Sequence, residues 1–562
     1  MATKYVECSR KTGMNDTQTI QAAIEALKDG DTLVFNKKTE IKDESTGAVI
    51  GYDTTYVLDA PVDFTRCNVG NDETPEIVNK TRKYLTINGN GCTVCWSNDY
   101  ISNYKTIIDN TSEENKENRK AKKKEALFYL SDAAKNGLKH CTIKNFIFTW
   151  DKSNSSVPVE FENRNYGMGV VPTDPNITSD EGKSMYFSFG TIENCEFHRF
   201  ETGVYMCGEN VDIRQCYFYT CDTGINSDGT EQLNVYNNYF YTTLHQGLRL
   251  NTSYRSNAYG NVFWGCGNSS ISVEGPQNNR NDLKYLTVNI YANKIFGSND
   301  PDSEGVRNER GIQCNGIKDV VIRDNFIKDI SYVSNDQEKE YDKDGQYGMG
   351  ILLTGNNSTD NERISERVIV ADNIITGSRR YGIGVNFSSS CIISGNSIHS
   401  MGKENANDYG IYIGNKAGNL SIAGNKLYNF EYDKFIYSGD NNKYNMSIVD
   451  NTYYGRNLKF NPLSPARIIS NTFNHPDNTM HICIPSLDTP LENNEEIMLY
   501  VPVDYQSSTV SYISYDNMVG AVMDKNNSMQ INVKQNRGEY LHLKYKYINH
   551  PSGDYIRFIM CE

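Results

Sequence analysis

The sequence predicts an all-β fold: a right-handed single-stranded parallel β-helix with an N-terminal helical cap and a small C-terminal β domain. Three observations predict it. First, a phrase recurs in which an aliphatic residue is followed three positions on by Asn and five on by an apolar residue. Ile290-Tyr-Ala-Asn293-Lys-Ile295 is one copy, and Asn238, Asn261, Asn325, Asn373, Asn396, Asn425, Asn451 and Asn471 mark others. Cys195 and Cys216 fill the same slot earlier, and successive steps of 21, 22 and 23 residues lead from Cys195 to Cys216, Asn238 and Asn261. Second, a companion phrase opens on glycine: Gly203-Val-Tyr-Met206, Gly224-Ile-Asn-Ser227, Gly247-Leu-Arg-Leu250, Gly311-Ile-Gln-Cys314, Gly350-Ile-Leu-Leu353, Gly382-Ile-Gly-Val385 and Gly410-Ile-Tyr-Ile413. Third, the apolar residues alternate with period two and no helical period runs through the unit. Self-similarity at such a spacing is the mark of a solenoid of short strands.

The elements follow in chain order. Residues 1–83 form a cap region. Its segment 16–28 has helical spacing, with Ile20, Ala23, Ile24 and Leu27 on one face, Asn15 or Asp16 as cap, and Lys28-Asp-Gly30 as stop. Asp31-Thr-Leu-Val-Phe35 reads as a strand. A solenoid needs a cover over its first open coil, because bare strand edges invite pairing with other chains. Coils are expected over 84–475, interrupted by insertions near 97–137, 150–187, 297–310, 329–347 and 399–409. Coils stack about 4.8 Å apart, so each repeated position sits above its counterpart, and an inward Asn can bond the turn backbone and the next Asn. From Pro476 the ladder stops. Strand-like runs at Ile497–Val501, Met529–Val533 and Tyr555–Ile559 point to a C-terminal β-sandwich-like domain, 476–562.

Formal net charge is −14, which argues against nucleic acid as a partner. No apolar run approaches a membrane span, so no membrane insertion is expected. The run Lys116–Lys124 is interleaved with acids and reads as a solvated surface. The start, Met1 to Glu7, shows no signal-peptide core. Several of the 14 Cys fall on repeat positions, which points to buried free thiols and synthesis in a reducing cytoplasm. Cys92-Thr-Val-Cys95 lacks a second ligand pair and reads as core, and Asp342-Lys-Asp344-Gly345 reads as a turn; no metal or cofactor is expected.

Outward positions beside the glycine phrase form columns at one-coil spacing. One runs Tyr205, Asn226, Arg249, Ser272; the next Cys207, Asp228, Asn251, Glu274; a third Glu201, Asp222, His245, Asn268. Two carboxylates flanking a glycosidic bond can cleave it. Asp228 and Glu274 form the candidate catalytic pair, with Asp222 in reserve. Arg249, His245, Asn226, Asn251, Tyr205 and Gln313 are the candidate substrate-binding residues. Arg249 and His245 could serve a lyase acting on a uronate, the second reading. Tyr412 and Tyr437 occupy further outward sites, where rings can pack on sugar faces or on one another.

The segment Gly13-Met-Asn-Asp16-Thr-Gln-Thr-Ile20-Gln-Ala-Ala-Ile24, followed by Asp31-Thr-Leu-Val-Phe35 and Thr55-Tyr-Val-Leu58, resembles the opening of the pectate-lyase-like superfamily. With the repeats, the resemblance spans roughly residues 10–470. It departs where Asn36-Lys-Lys replaces the usual Pro-x-Gly. The superfamily includes lyases, polygalacturonases, epimerases, phage tailspike depolymerases and non-catalytic adhesins. Ile225-Asn226-Ser-Asp228-Gly229 is similar to the Asn-x-Asp-Gly signature of polygalacturonases and implies an acid role for Asp228; the family's other signatures are missing, and His245-Gln-Gly247 is a faint echo of one. The resemblance implies a tailspike-type enzyme, a glycosidase before a lyase. It would be virion-associated or extracellular, homotrimeric, and bound to a polysaccharide or surface glycan. The rivals are a non-catalytic receptor-binding spike and a secreted pectinase-like enzyme.

Overall fold

The structure, a computed structural model, describes residues 2–454 apart from 8–12, 72–73, 111, 117, 119–124, 132–135, 153–167, 172–186, 276–286, 298–308, 331–347, 359–360, 400–408, 415, 429, 431–435 and 439–445, and beyond 454 the backbone of strands between 459 and 560. The chain divides into two compact units. The first is Met1–Glu274 with Leu286–Asn289 and Asp302–Arg307; the second is Gly275–Tyr285, Ile290–Pro301 and Asn308–Glu562.

In the first unit the cap helix runs Asp16–Glu25, ending one turn before the expected stop. Asn15 accepts from the Gln18 backbone N–H while Gln18 reaches back to the Asn15 N–H, so two orphan donors are satisfied reciprocally. Parallel pairing already exists upstream of Tyr84. Thr3–Glu7 pairs with Thr32–Asn36, and Thr32–Asn36 and Thr55–Leu58 both pair with Thr86–Trp96. The insertion after Trp96 opens with a helix, Asn98–Asp109, capped by Ser97.

Each coil contributes a glycine-phrase strand and two strands bearing the other phrase. Register is exact: Ile192 lies over Ile213, Ile213 over Val235, and Val235 over Ala258. Inside, one column of rings, Phe148, Phe197, Phe218, Phe240 and Phe263, stacks with centroids 5.2, 5.0, 4.8 and 4.5 Å apart. All five are fully buried. This column explains the glycines. A Cβ on Gly224 would lie 2.7 Å from Phe240 Cδ1 and 2.6 Å from the Gly247 carbonyl oxygen. The glycine of one phrase makes room for the ring of the other.

The Asn ladder is inward. Asn238 donates through its backbone N–H (3.0 Å) and Nδ2 (3.1 Å) to Asn261 Oδ1, and Nδ2 also reaches the Ile213 carbonyl at 2.9 Å. In the second unit the chain of amides runs unbroken from Asn293 through Asn325, Asn373, Asn396 and Asn425 to Asn451. These residues are at most 1% exposed. The residue before a ladder Asn takes positive φ, and it is often Asn, Asp or Gly: Asn237, Asp324, Asp372, Gly395, Gly424, Asp450. These types tolerate the left-handed region best, so the turn is written in two adjacent residues. The side chain of Asn471 lies outside the described residues.

Beyond Pro476, Glu496–Tyr500 pairs in parallel with Ala466–Phe473 and antiparallel with Tyr540–His550, which pairs with Gly553–Met560. Among the described residues eleven cysteines are free thiols, all buried. None of the described helices is long and apolar enough to cross a membrane.

Candidate functional site

The glycine-phrase strands of the first unit form a parallel sheet in the order Val62–Asp63, Ala126–Tyr129, Met168–Val171, Thr202–Met206, Thr223–Asp228, Gln246–Asn251, Ser269–Glu274. The predicted columns are present. Tyr205 pairs with Asn226, Asn226 with Arg249, and Arg249 with Ser272. Asp228 pairs with Asn251, and Asn251 with Glu274. Asp222 and His245 follow each other at the strand edge, where the His245 N–H donates to the Asp222 carbonyl at 2.8 Å, and the Asn268 N–H to the His245 carbonyl at 2.6 Å. His245 is exposed; Asp222, Asn226, Asp228, Arg249, Asn251 and Glu274 are half-buried.

The side chains reach diagonally between columns. Arg249 Nη2 donates to Glu274 Oε2 at 2.6 Å. Glu274 Oε1 also accepts from Ser272 Oγ at 3.1 Å. Burial works against ionisation of Glu274, but the Arg249 hydrogen bond and charge, with donors from Ser272 and Gln246, outweigh it and hold its carboxyl below the ordinary 4.5. Asp228 accepts from Tyr205 OH at 3.3 Å, Asn251 Nδ2 at 3.2 Å and Thr252 Oγ1 at 3.4 Å. Burial, then the neighbouring Asp228, push the Tyr205 phenol well above its usual value, so it is a neutral donor.

Reading columns from the sequence missed Gln246, which is only 4% exposed and donates to Glu274. Its carbonyl oxygen is buried without a partner, as are Arg249 Nε and Asn251 Oδ1. The signal in the sequence was a long amide standing in register between two small residues, Thr223 and Ser269. Thr252 was missed because it lies just past the strand. Gln313 lies in the second unit on Arg310–Asn315, where Arg310 Nη1 is 3.2 Å from its Oε1. In that unit Tyr412 stacks on Tyr381 at 4.2 Å, over a buried patch of Met349 and Leu352. The side chain of Tyr437, the loop at Asp342–Gly345 and most of the insertions lie outside the described residues. Among the described residues no group of three or more His, Cys, Asp or Glu could hold a metal ion.

A family model described as a right handed beta helix region matches residues 177–284, the stretch that carries these columns. The protein is a right-handed parallel β-helix, as predicted. Similar solved structures include the tailspike protein of E. coli bacteriophage HK620 in complex with a pentasaccharide, 12% identical, covering 89% of this chain and 74% of that one, with a TM-score of 0.43. A deletion mutant of the same tailspike is 12% identical and covers 98% of this chain and 88% of that one, with a TM-score of 0.44. The search of curated proteins found no match.

Proposed function

We propose that this protein binds an extracellular polysaccharide along the glycine-phrase sheet of its first unit and hydrolyses it. The observation that carries the reading is the register Asp228–Asn251–Glu274. It sets the two carboxylates two coils apart, about 10 Å between backbones. That distance, shortened by side-chain reach, is compatible with the separation used by inverting glycosidases. Glu274, kept ionised by Arg249, takes a proton from the attacking water. Asp228 protonates the leaving oxygen, with Asp222 as the alternative donor. The glycosidic C–O bond breaks as the water C–O bond forms, and the two protons end on base and leaving group. Tyr205, Asn226, Asn251, Arg249 and His245 orient the sugar. The reading extends to a particle-borne homotrimer of the tailspike kind, whose solution mass would be three times the chain's 63.6 kDa.

One observation favours a second reading, a receptor-binding spike without catalysis. Both oxygens of Glu274 are engaged by Arg249 and Ser272, a geometry equally suited to recognition. Incubation with surface polysaccharides separates the two. New reducing ends without absorbance in the unsaturated-uronate band support hydrolysis. Binding without any product supports the spike.

A further inference from the structure

The charge balance of the same sheet bears on which glycans it can take, and this step rests on the reading above. The strands Thr202–Met206, Thr223–Asp228, Gln246–Asn251 and Ser269–Glu274, with the residue before each, carry four carboxylates: Asp228 and Glu274 on strands, Glu201 and Asp222 just ahead of them. Against them stands one guanidinium, Arg249, and the exposed imidazole of His245. Arg249 is already committed: its Nη2 lies 2.6 Å from Glu274 Oε2. A sugar carboxylate approaching it would meet a second carboxylate on the same guanidinium. Among the described residues of these four strands no other Lys or Arg is present to receive it. The whole chain carries −14, which adds a long-range field opposed to polyanions.

We infer that the site selects neutral glycans and excludes uronate-rich ones, and therefore that its chemistry is hydrolysis and not β-elimination. Elimination removes the proton beside a uronate carboxylate, so that carboxylate's charge must be neutralised in the transition state. The committed Arg249 leaves no cation for that task among these strands. The uncharged groups fit the opposite substrate. Asn226 offers an amide that donates and accepts, Tyr205 a phenol, and the carboxylates acceptors for hydroxyl groups. Gln246 makes the case sharper. It is 4% exposed and donates to Glu274, so together with Ser272 and Arg249 it holds the carboxylate by two neutral partners and one charged partner, and the carboxylate does not swing away from Arg249.

The test is binding and turnover on a panel of matched neutral and uronate-containing polysaccharides, including polygalacturonate, alginate and hyaluronate, at low and high salt. The expected result is binding of neutral members at least about tenfold tighter than acidic ones, with little salt dependence. In Glu274→Gln, whose fold is checked by circular dichroism, the freed Arg249 should raise affinity for an acidic member by about tenfold, most strongly at low salt. Tighter binding of acidic glycans by the parent, or product with unsaturated-uronate absorbance, would overturn this inference while leaving the polysaccharide reading intact. No binding to any member, neutral or acidic, would remove both.

Discussion

Replacing Asn373 with Leu tests whether the inward amide ladder holds the coils together. Asn373 is fully buried. Its Oδ1 accepts from the Asn325 backbone N–H at 3.0 Å and from Asn325 Nδ2 at 2.9 Å. Its Nδ2 lies 2.9 Å from Asn396 Oδ1 and 3.0 Å from both the Ile322 and Ala371 carbonyls. Leucine is nearly isosteric and supplies none of these. The buried Asn325 N–H then has no acceptor, and at least one acceptor loses its donor. Each buried group stranded in this way costs about 1–3 kcal/mol, so the pair predicts a loss of about 2–6 kcal/mol. Asn373→Cys is the control, because Cys216 fills this slot natively, its Sγ 3.2 Å from the Arg214 carbonyl. It should cost roughly half as much, since a thiol is small and a weak donor. The assay is urea unfolding of both variants, reading the midpoint at constant slope. A loss below about 0.5 kcal/mol for Asn373→Leu, the scale of an ordinary surface substitution, would refute the reasoning.

Two further outcomes follow from packing and charge. A Cβ on Gly247 would lie 2.6 Å from Phe263 Cδ1 and 2.8 Å from the Ser270 carbonyl oxygen, so Gly247→Ala should cost about 1–3 kcal/mol or more. Adding Phe263→Leu should recover part of that in a double-mutant cycle, and strict additivity would count against the clash. The depressed Glu274 pKa contributes stability that is present above the unfolded value of 4.5 and is lost as pH falls through the folded value. Glu274→Gln should therefore melt below the parent at neutral pH, with the gap closing as pH drops below 4.5; a gap constant across that window would show that the Arg249 pair does not act as described.

The fold was legible because a stacked coil turns sequence position into spatial position. The Asn phrase and the glycine phrase each recur at one-coil spacing, so Asn325 over Asn373 and Gly224 beside Gly247 could be read without any long-range prediction. The glycine's reason was not legible. It depends on which ring of the other phrase faces it, Phe240 for Gly224, and that is set by the coil's cross-section. The site was half legible for a related reason. Columns follow backbone register, but long side chains reach to diagonal neighbours. Arg249 is in register with Ser272 yet bonds Glu274, and Tyr205 is in register with Asn226 yet bonds Asp228. That Tyr205, Asp228, Asn251, Arg249 and Glu274 are neighbours was foreseen, and their pairing was not; Gln313, read with them, stands on a strand of the second unit. Gln246 escaped because it precedes the glycine, where the backbone leaves strict alternation and burial cannot be inferred from parity.

The most direct test of the functional account is the rate of reducing-end release by Asp228→Asn and Glu274→Gln on a neutral glycan that the parent cleaves, with binding of the same glycan followed by calorimetry. The account predicts that each variant loses turnover by about 10² or more while retaining the fold and nearly unchanged affinity for that glycan. Parental turnover in both variants would contradict it and move the catalytic centre away from these coils.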